Sequence, residues 1–126
     1  MSYKIHWLGD NSVVVVEGQV TYQQLREIGP AHFGSEKFSD LRYGIIDFTR
    51  ADLGQVTMDK SKVLASIDSI AVTYKTKLKL AFVVADEYQR TLCERYIEDS
   101  AGFRSTWTQG IFPSIEEART WCEQSD

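Results

Sequence analysis

The chain has 126 residues, 43% of them hydrophobic and 25% charged, with a formal net charge of −4. That is the length of one ordinary domain, enough to bury a core without metal or disulfide staples. The negative balance supplies no basic footprint for nucleic acid or an anionic membrane.

Tyr3-Lys4-Ile5-His6-Trp7 alternates apolar and polar residues, the pattern of a half-buried strand. Gly9-Asp10-Asn11 is turn chemistry, and Val13 to Val16 is a β-branched run, so the two segments predict an antiparallel pair. Thr21 opens a helix, with Gln24 at capping-box spacing and Val20 and Leu25 at staple spacing. Gly29-Pro30 predicts an early end or a disturbance of that helix, followed by a connector from Phe33 to Leu41. Tyr43 to Thr49 reads as the third and middle strand, and a polar loop follows from Arg50 to Met58. Val63, Ile67, Ile70 and Tyr74, with Leu64 and Ala71, predict the inward face of a second helix. Leu80 to Ala85 is apolar on both sides of the pleat, which suits a central strand covered on both faces. Asp86 and Gln89 start a third helix, with Tyr88, Leu92, Tyr96 and Ile97 as its buried stripe. Phe103 to Thr108 alternates like an exposed strand. Ser114 and Glu117 cap a last helix that carries Ile115, Ala118, Trp121 and Cys122 inward.

The order is β-β-α-β-α-β-α-β-α: one α/β domain over residues 1–126, with a mixed sheet of about five strands and four helices. Cys93 and Cys122 show neither Cys-x-x-Cys nor zinc spacing and fall at apolar helix positions, as buried free thiols do. Such thiols favour a reducing compartment. No charged-then-apolar leader opens the chain, and no apolar run approaches about 18 residues. The expectation is a cytoplasmic protein without membrane insertion.

The chemistry-bearing residues form no recognised constellation. His6 and His32 lack ligands at metal spacing, so no metal and no cofactor are expected. Gly-x-Ser-x-Gly and phosphate-loop motifs are missing, so no catalytic residue is assigned. Trp7, Trp107 and Trp121 read as core or sheet-covering residues, with the wall of an apolar pocket as the alternative. Lys75, Lys77 and Lys79 read as a solvated strand entrance, with an anionic partner as the alternative.

Two local patterns, together with the order of elements, resemble a known family. Ile111-Phe112-Pro113-Ser114-Ile115-Glu116-Glu117-Ala118-Arg119-Thr120-Trp121 is similar to the closing helix of the STAS-like group. Ile45-Ile46-Asp47 is similar to its apolar strand ending in aspartate. Within that group the chain resembles the SpoIIAA-like proteins, relatives of bacterial anti-sigma-factor antagonists. The resemblance implies a non-enzymatic regulatory or protein-interaction module. The regulatory members carry a phosphorylatable serine in an Asp-Ser-Ser-Gly run at the start of the helix after this strand. The corresponding stretch is Met58-Asp59-Lys60-Ser61-Lys62-Val63, where Lys60 takes the usual acceptor position and Ser61 is left as a lesser substitute.

A carboxyl strand end and a helix N-terminus both favour binding in that region. The binding surface is therefore expected at Asp47, Thr49, Arg50, Thr57, Asp59, Lys60, Ser61 and Lys62, with Asp59 as the helix N-cap. The partner is an unknown protein or small ligand, and a homodimer is compatible with the pattern. The alternative function is a carrier holding a small apolar or amphipathic ligand between helices and sheet.

Overall fold

The structure, a computed structural model, describes residues 1–124; the last two residues of the expected domain lie outside it. Strands β1 (Ser2–Trp7) and β2 (Asn11–Gln19) form an antiparallel hairpin. The strands β3 (Tyr43–Asp52), β4 (Lys79–Val83) and β5 (Thr108–Phe112) add in sequence order, each parallel to its neighbour. The helices are α1 (Tyr22–Phe33), α2 (Lys60–Tyr74), α3 (Glu87–Gly102) and α4 (Ile115–Glu123), with a short 3₁₀ turn at Glu36–Asp40. The expected α/β order, five-strand mixed sheet and four helices are all present. β3 is the middle strand, and β4 lies inside the sheet between β3 and β5.

The sheet separates two cores. On one face Val14, Val16, Ile46, Phe48, Leu80 and Phe82 pack with Ile28, Leu92 and Cys93 of α1 and α3. On the other, Val13, Ile45, Ala81 and Val83 pack under Ala118 and Cys122 of α4. β4 therefore buries alternate residues against different layers, which explains its unbroken apolar run. Both thiols are buried and unpaired, as expected.

Several local expectations need correction. α1 runs through Pro30 to Phe33, and the Gly34 N–H closes it on the Pro30 carbonyl at 2.8 Å. Proline removes one donor, but Ile28 and His32 are buried around it, and that burial holds the last turn. The fifth strand is Thr108–Phe112, not Phe103 to Thr108. The latter segment instead ends α3 in a turn, with Arg104 at φ 61°. Alternation alone marked the wrong stretch, because strand identity depends on pairing with β4, and only residues 108–112 reach it.

α2 also turns a different face inward. Ser61 and Ala65 are buried, and Ala71 and Val72 pack on the core. Val63, Ile70 and Tyr74 point away, with Ile70 at 65% and Tyr74 at 87% exposure. The helix is apolar on two sides, and the larger side chains took the outer one. The inner side meets α3 closely, with Ser61 bonded to Asp99 and Asp68 to Tyr96, and small residues allow that approach.

Candidate functional site

β3 extends to Asp52 with an extra residue opposite β2, between the Val15–Asp47 and Glu17–Arg50 pairs. Asp47 supports that irregularity. Its Oδ1 accepts the Thr49 N–H at 2.9 Å and the Thr49 hydroxyl at 2.7 Å. Asp47 is itself buried, while Thr49 and Arg50 are exposed and Arg50 reaches Glu17 at 3.4 Å. The following loop is pinned rather than open. Leu53 and Val56 plug into the core, and the Val56 carbonyl accepts the Tyr88 hydroxyl at 2.5 Å.

Asp59 does not cap α2 through its side chain. Its backbone is already helical, and the first turn closes on main-chain carbonyls instead: Lys60 N–H to Thr57 at 3.0 Å and Ser61 N–H to Met58 at 3.3 Å. A hydrogen bond with Thr57 holds the Asp59 carboxyl below its usual acidity range. Those main-chain bonds use donors that an anion would need. Thr57, Asp59 and Lys62 are exposed, and the Lys60 ammonium lies 4.9 Å from the centre of the Tyr22 ring. Ser61 is only 1% exposed and donates its hydroxyl to Asp99 Oδ2 at 2.6 Å. A phosphate on that oxygen would face a carboxylate across the α2–α3 contact, so the static structure does not present Ser61 as an acceptor.

Three features escaped sequence reasoning. The first is the outward stripe of α2. Residues 63, 67, 70 and 74 share one helical face, so the periodicity was visible, but its direction was not. The second is a buried pair twenty residues apart: Ser12 Oγ lies 2.7 Å from His32 Nε2. Trp7, Phe33 and Phe38 surround the imidazole, with Trp7 stacked at 5.5 Å. This pair has the spacing of a nucleophile and its base, but Ser12 is 0% exposed and, among the described residues, the His32 Nδ1 has no orienting partner. The third is a cavity of about 70 Å³ between the sheet and α1, α2 and α3. Ile28, Phe48, Leu80, Phe82 and Leu92 line its interior. It comes to the surface at the α1–α2 seam, where exposed Arg26 and half-buried Gly29, Leu64 and Ile67 line it. Trp7, Trp107 and Trp121 do not line it.

Asp68 is the acidic residue of that cavity, and its Oδ2 accepts the Tyr96 hydroxyl at 2.5 Å. Burial raises its carboxyl from the ordinary 3.8 to about 6. Burial lowers the His32 imidazole from 6.5 to about 4 and pushes the Cys93 thiol up to about 12. Among the described residues no group of three His, Cys, Asp or Glu could hold a metal ion, and no helix is long and apolar enough to cross a membrane.

The two shifted groups act on stability with opposite signs. Between pH 4 and 6.5 the unfolded chain protonates His32 and the folded chain does not, so this contribution grows as pH rises. Between 3.8 and 6 the folded chain keeps a proton on Asp68 that the unfolded chain loses, so that contribution fades as pH rises. Urea unfolding from pH 4 to 6.5 should therefore separate the variants. Relative to wild type, Asp68→Asn should gain on the order of 2–3 kcal/mol across the window, and His32→Gln should lose a similar amount. Curves that run parallel to wild type would show that neither group titrates as its burial implies.

A scan against protein-family models finds no match. A search of curated proteins finds none either. Among solved structures the chain is similar to an uncharacterized protein of the DUF3478 family with a SpoIIAA-like fold from Shewanella loihica PV-4. The identity is 17%, over 96% of this chain and 92% of that one, with a TM-score of 0.48.

Proposed function

We propose that the protein is a non-enzymatic regulatory module that docks a protein partner on the outer face of α2. The observation that carries this reading is the exposed stripe of Val63, Ile70 and Tyr74, continued by half-buried Ile67. Contiguous exposed apolar surface is uncommon on a protein that works alone, and aromatic and branched residues are the usual anchors of an interface. The N-terminal end of the stripe carries Lys60 and exposed Lys62, so the complementary partner is apolar with acidic residues at one end. This keeps the turn singled out from the sequence as part of the surface, with the lysines rather than Ser61 as its contribution.

Catalysis is not part of the reading. The Ser12–His32 pair is enclosed, and a thiol with the acidity of Cys93 is no nucleophile near neutrality.

A photo-crosslinking residue at Ser66, beside the stripe, should form a defined adduct with one protein in extract of the source cells. The same residue at Glu116 on α4 should not. Ile70→Asp combined with Tyr74→Ser should remove the adduct and leave the melting temperature unchanged. An adduct of twice 14.4 kDa would identify a second copy of the chain as the partner. An adduct that survives the double substitution, or that forms equally from Glu116, would exclude this face.

A further inference from the structure

We propose that the cavity between α1, α2, α3 and the sheet binds a small apolar primary amine, its ammonium held by Asp68 and its carbon chain lying among Ile28, Phe48, Phe82 and Leu92. The site shares Ile67, on its rim, with the stripe on the outer face of α2, but its chemistry rests on Asp68 and is tested apart from that surface.

The argument begins with what surrounds Asp68. A carboxylate facing apolar side chains is costly unless a cation or several donors meet it. Tyr96 supplies one donor, to Oδ2. Among the described residues no cation lies within ion-pair distance of either oxygen. The other oxygen, Oδ1, sits at the α1–α2 seam against Gly29, where an added Cβ would come within 2.8 Å of it. Glycine at this position leaves room for the carboxylate where the cavity meets the surface.

The remaining charges leave the role of counter-ion open. Arg26, the cation on the rim, places its guanidinium 5.5 Å from the centre of the Tyr22 ring. His32 is neutral at ordinary pH because burial lowers it to about 4. An incoming ammonium would meet an acceptor without displacing an existing ion pair, and would stabilise the charged form of a carboxyl that burial disfavours.

Size limits the rest of the ligand. A cavity of about 70 Å³ is roughly half of the ~150 Å³ that accepts a benzene ring. Half the space of a six-carbon ring admits a chain of about three carbons, with its ammonium at the mouth beside Asp68. The lining offers it apolar contact on all sides, as small-molecule sites commonly do.

The test uses n-propylamine, n-propanol and propionate, titrated into the whole protein by calorimetry and by NMR. Propylamine should bind at least tenfold more tightly than propanol, and propionate should not bind. Saturation with propylamine should move the Asp68 carboxyl carbon resonance in the wild type. Asp68→Asn, whose amide oxygen can still accept from Tyr96, should weaken propylamine at least tenfold and leave propanol unchanged. Cys93→Leu, which places extra carbon in the free space, should block both. The proposal is overturned if propylamine gives neither heat nor shift at tens of millimolar. It is equally overturned if propanol or propionate matches it, if the Asp68 resonance stays in place, or if Asp68→Asn binds it as wild type does.

Discussion

Replacing Gln89 by leucine should destabilise the protein by about 3–6 kcal/mol, measured by urea unfolding at neutral pH. Gln89 is 1% exposed and is committed to three backbone groups. Its Oε1 accepts the Ala85 N–H at 2.7 Å, and its Nε2 donates to the carbonyls of Phe48 at 2.9 Å and Ala51 at 2.8 Å. Leucine has a similar volume but leaves the buried Phe48 carbonyl unmet and strips the part-buried Ala85 N–H and Ala51 carbonyl of their partner, each costing about 1–3 kcal/mol. The same side chain ties the start of α3 to the irregular part of β3. Gln89→Glu should be no milder, because a carboxylate would face the two carbonyls that the amide nitrogen now serves. A loss below about 1 kcal/mol for leucine, the range of surface substitutions, would mean that water replaces the amide there.

Trp107→Ala should cost about 3–5 kcal/mol, and Trp107→Phe about 1–2 kcal/mol. The indole is 7% exposed and packs on Phe33 at 5.2 Å and Phe38 at 6.0 Å, between α1 and the connector that follows it. Its Nε1–H donates to the Lys75 carbonyl at 2.6 Å, closing the segment that links α2 to β4. Phenylalanine keeps ring packing and loses that bond, so the two variants divide the cost between packing and hydrogen bonding. Equal losses would assign the whole effect to the Lys75 contact. Trp121, expected to point inward, is half-buried, its ring tilted at 41° to Phe112 with centres 5.1 Å apart and the Lys79 ammonium 5.2 Å from its ring centre. Its truncation should cost less than that of Trp107.

Of the expected binding surface, the structure keeps some parts exposed and encloses others. Thr49, Arg50, Thr57, Asp59 and Lys62 stand in solvent, and Lys60 is half-covered against Tyr22. Asp47 and Ser61 are enclosed by bonds to Thr49 and Asp99. The Asp47–Thr49 turn could be anticipated, because its partners lie two residues apart. The Ser61–Asp99 bond could not, because its partners lie 38 positions apart and meet only once α2 has packed on α3.

The same distinction runs through the whole molecule. What the sequence determined by itself is whatever depends on neighbours within a turn or a strand. Thr21 with Gln24 forms the expected reciprocal cap of α1, the Val13–Val16 run forms β2, and the two-sided apolarity of Leu80–Val83 sets β4 inside the sheet. What only the tertiary structure decided is which stretch pairs and which face is covered. Phe103–Thr108 showed the alternation expected of a strand, and the pairing with β4 falls on Thr108–Phe112 instead. α2 carried two apolar faces, and its close contact with α3 favoured the face of small residues, sending Val63, Ile70 and Tyr74 outward. The physical reason is that burial is a property of pairs of elements: periodicity states that a face is apolar, and only the neighbouring element determines whether that face is covered.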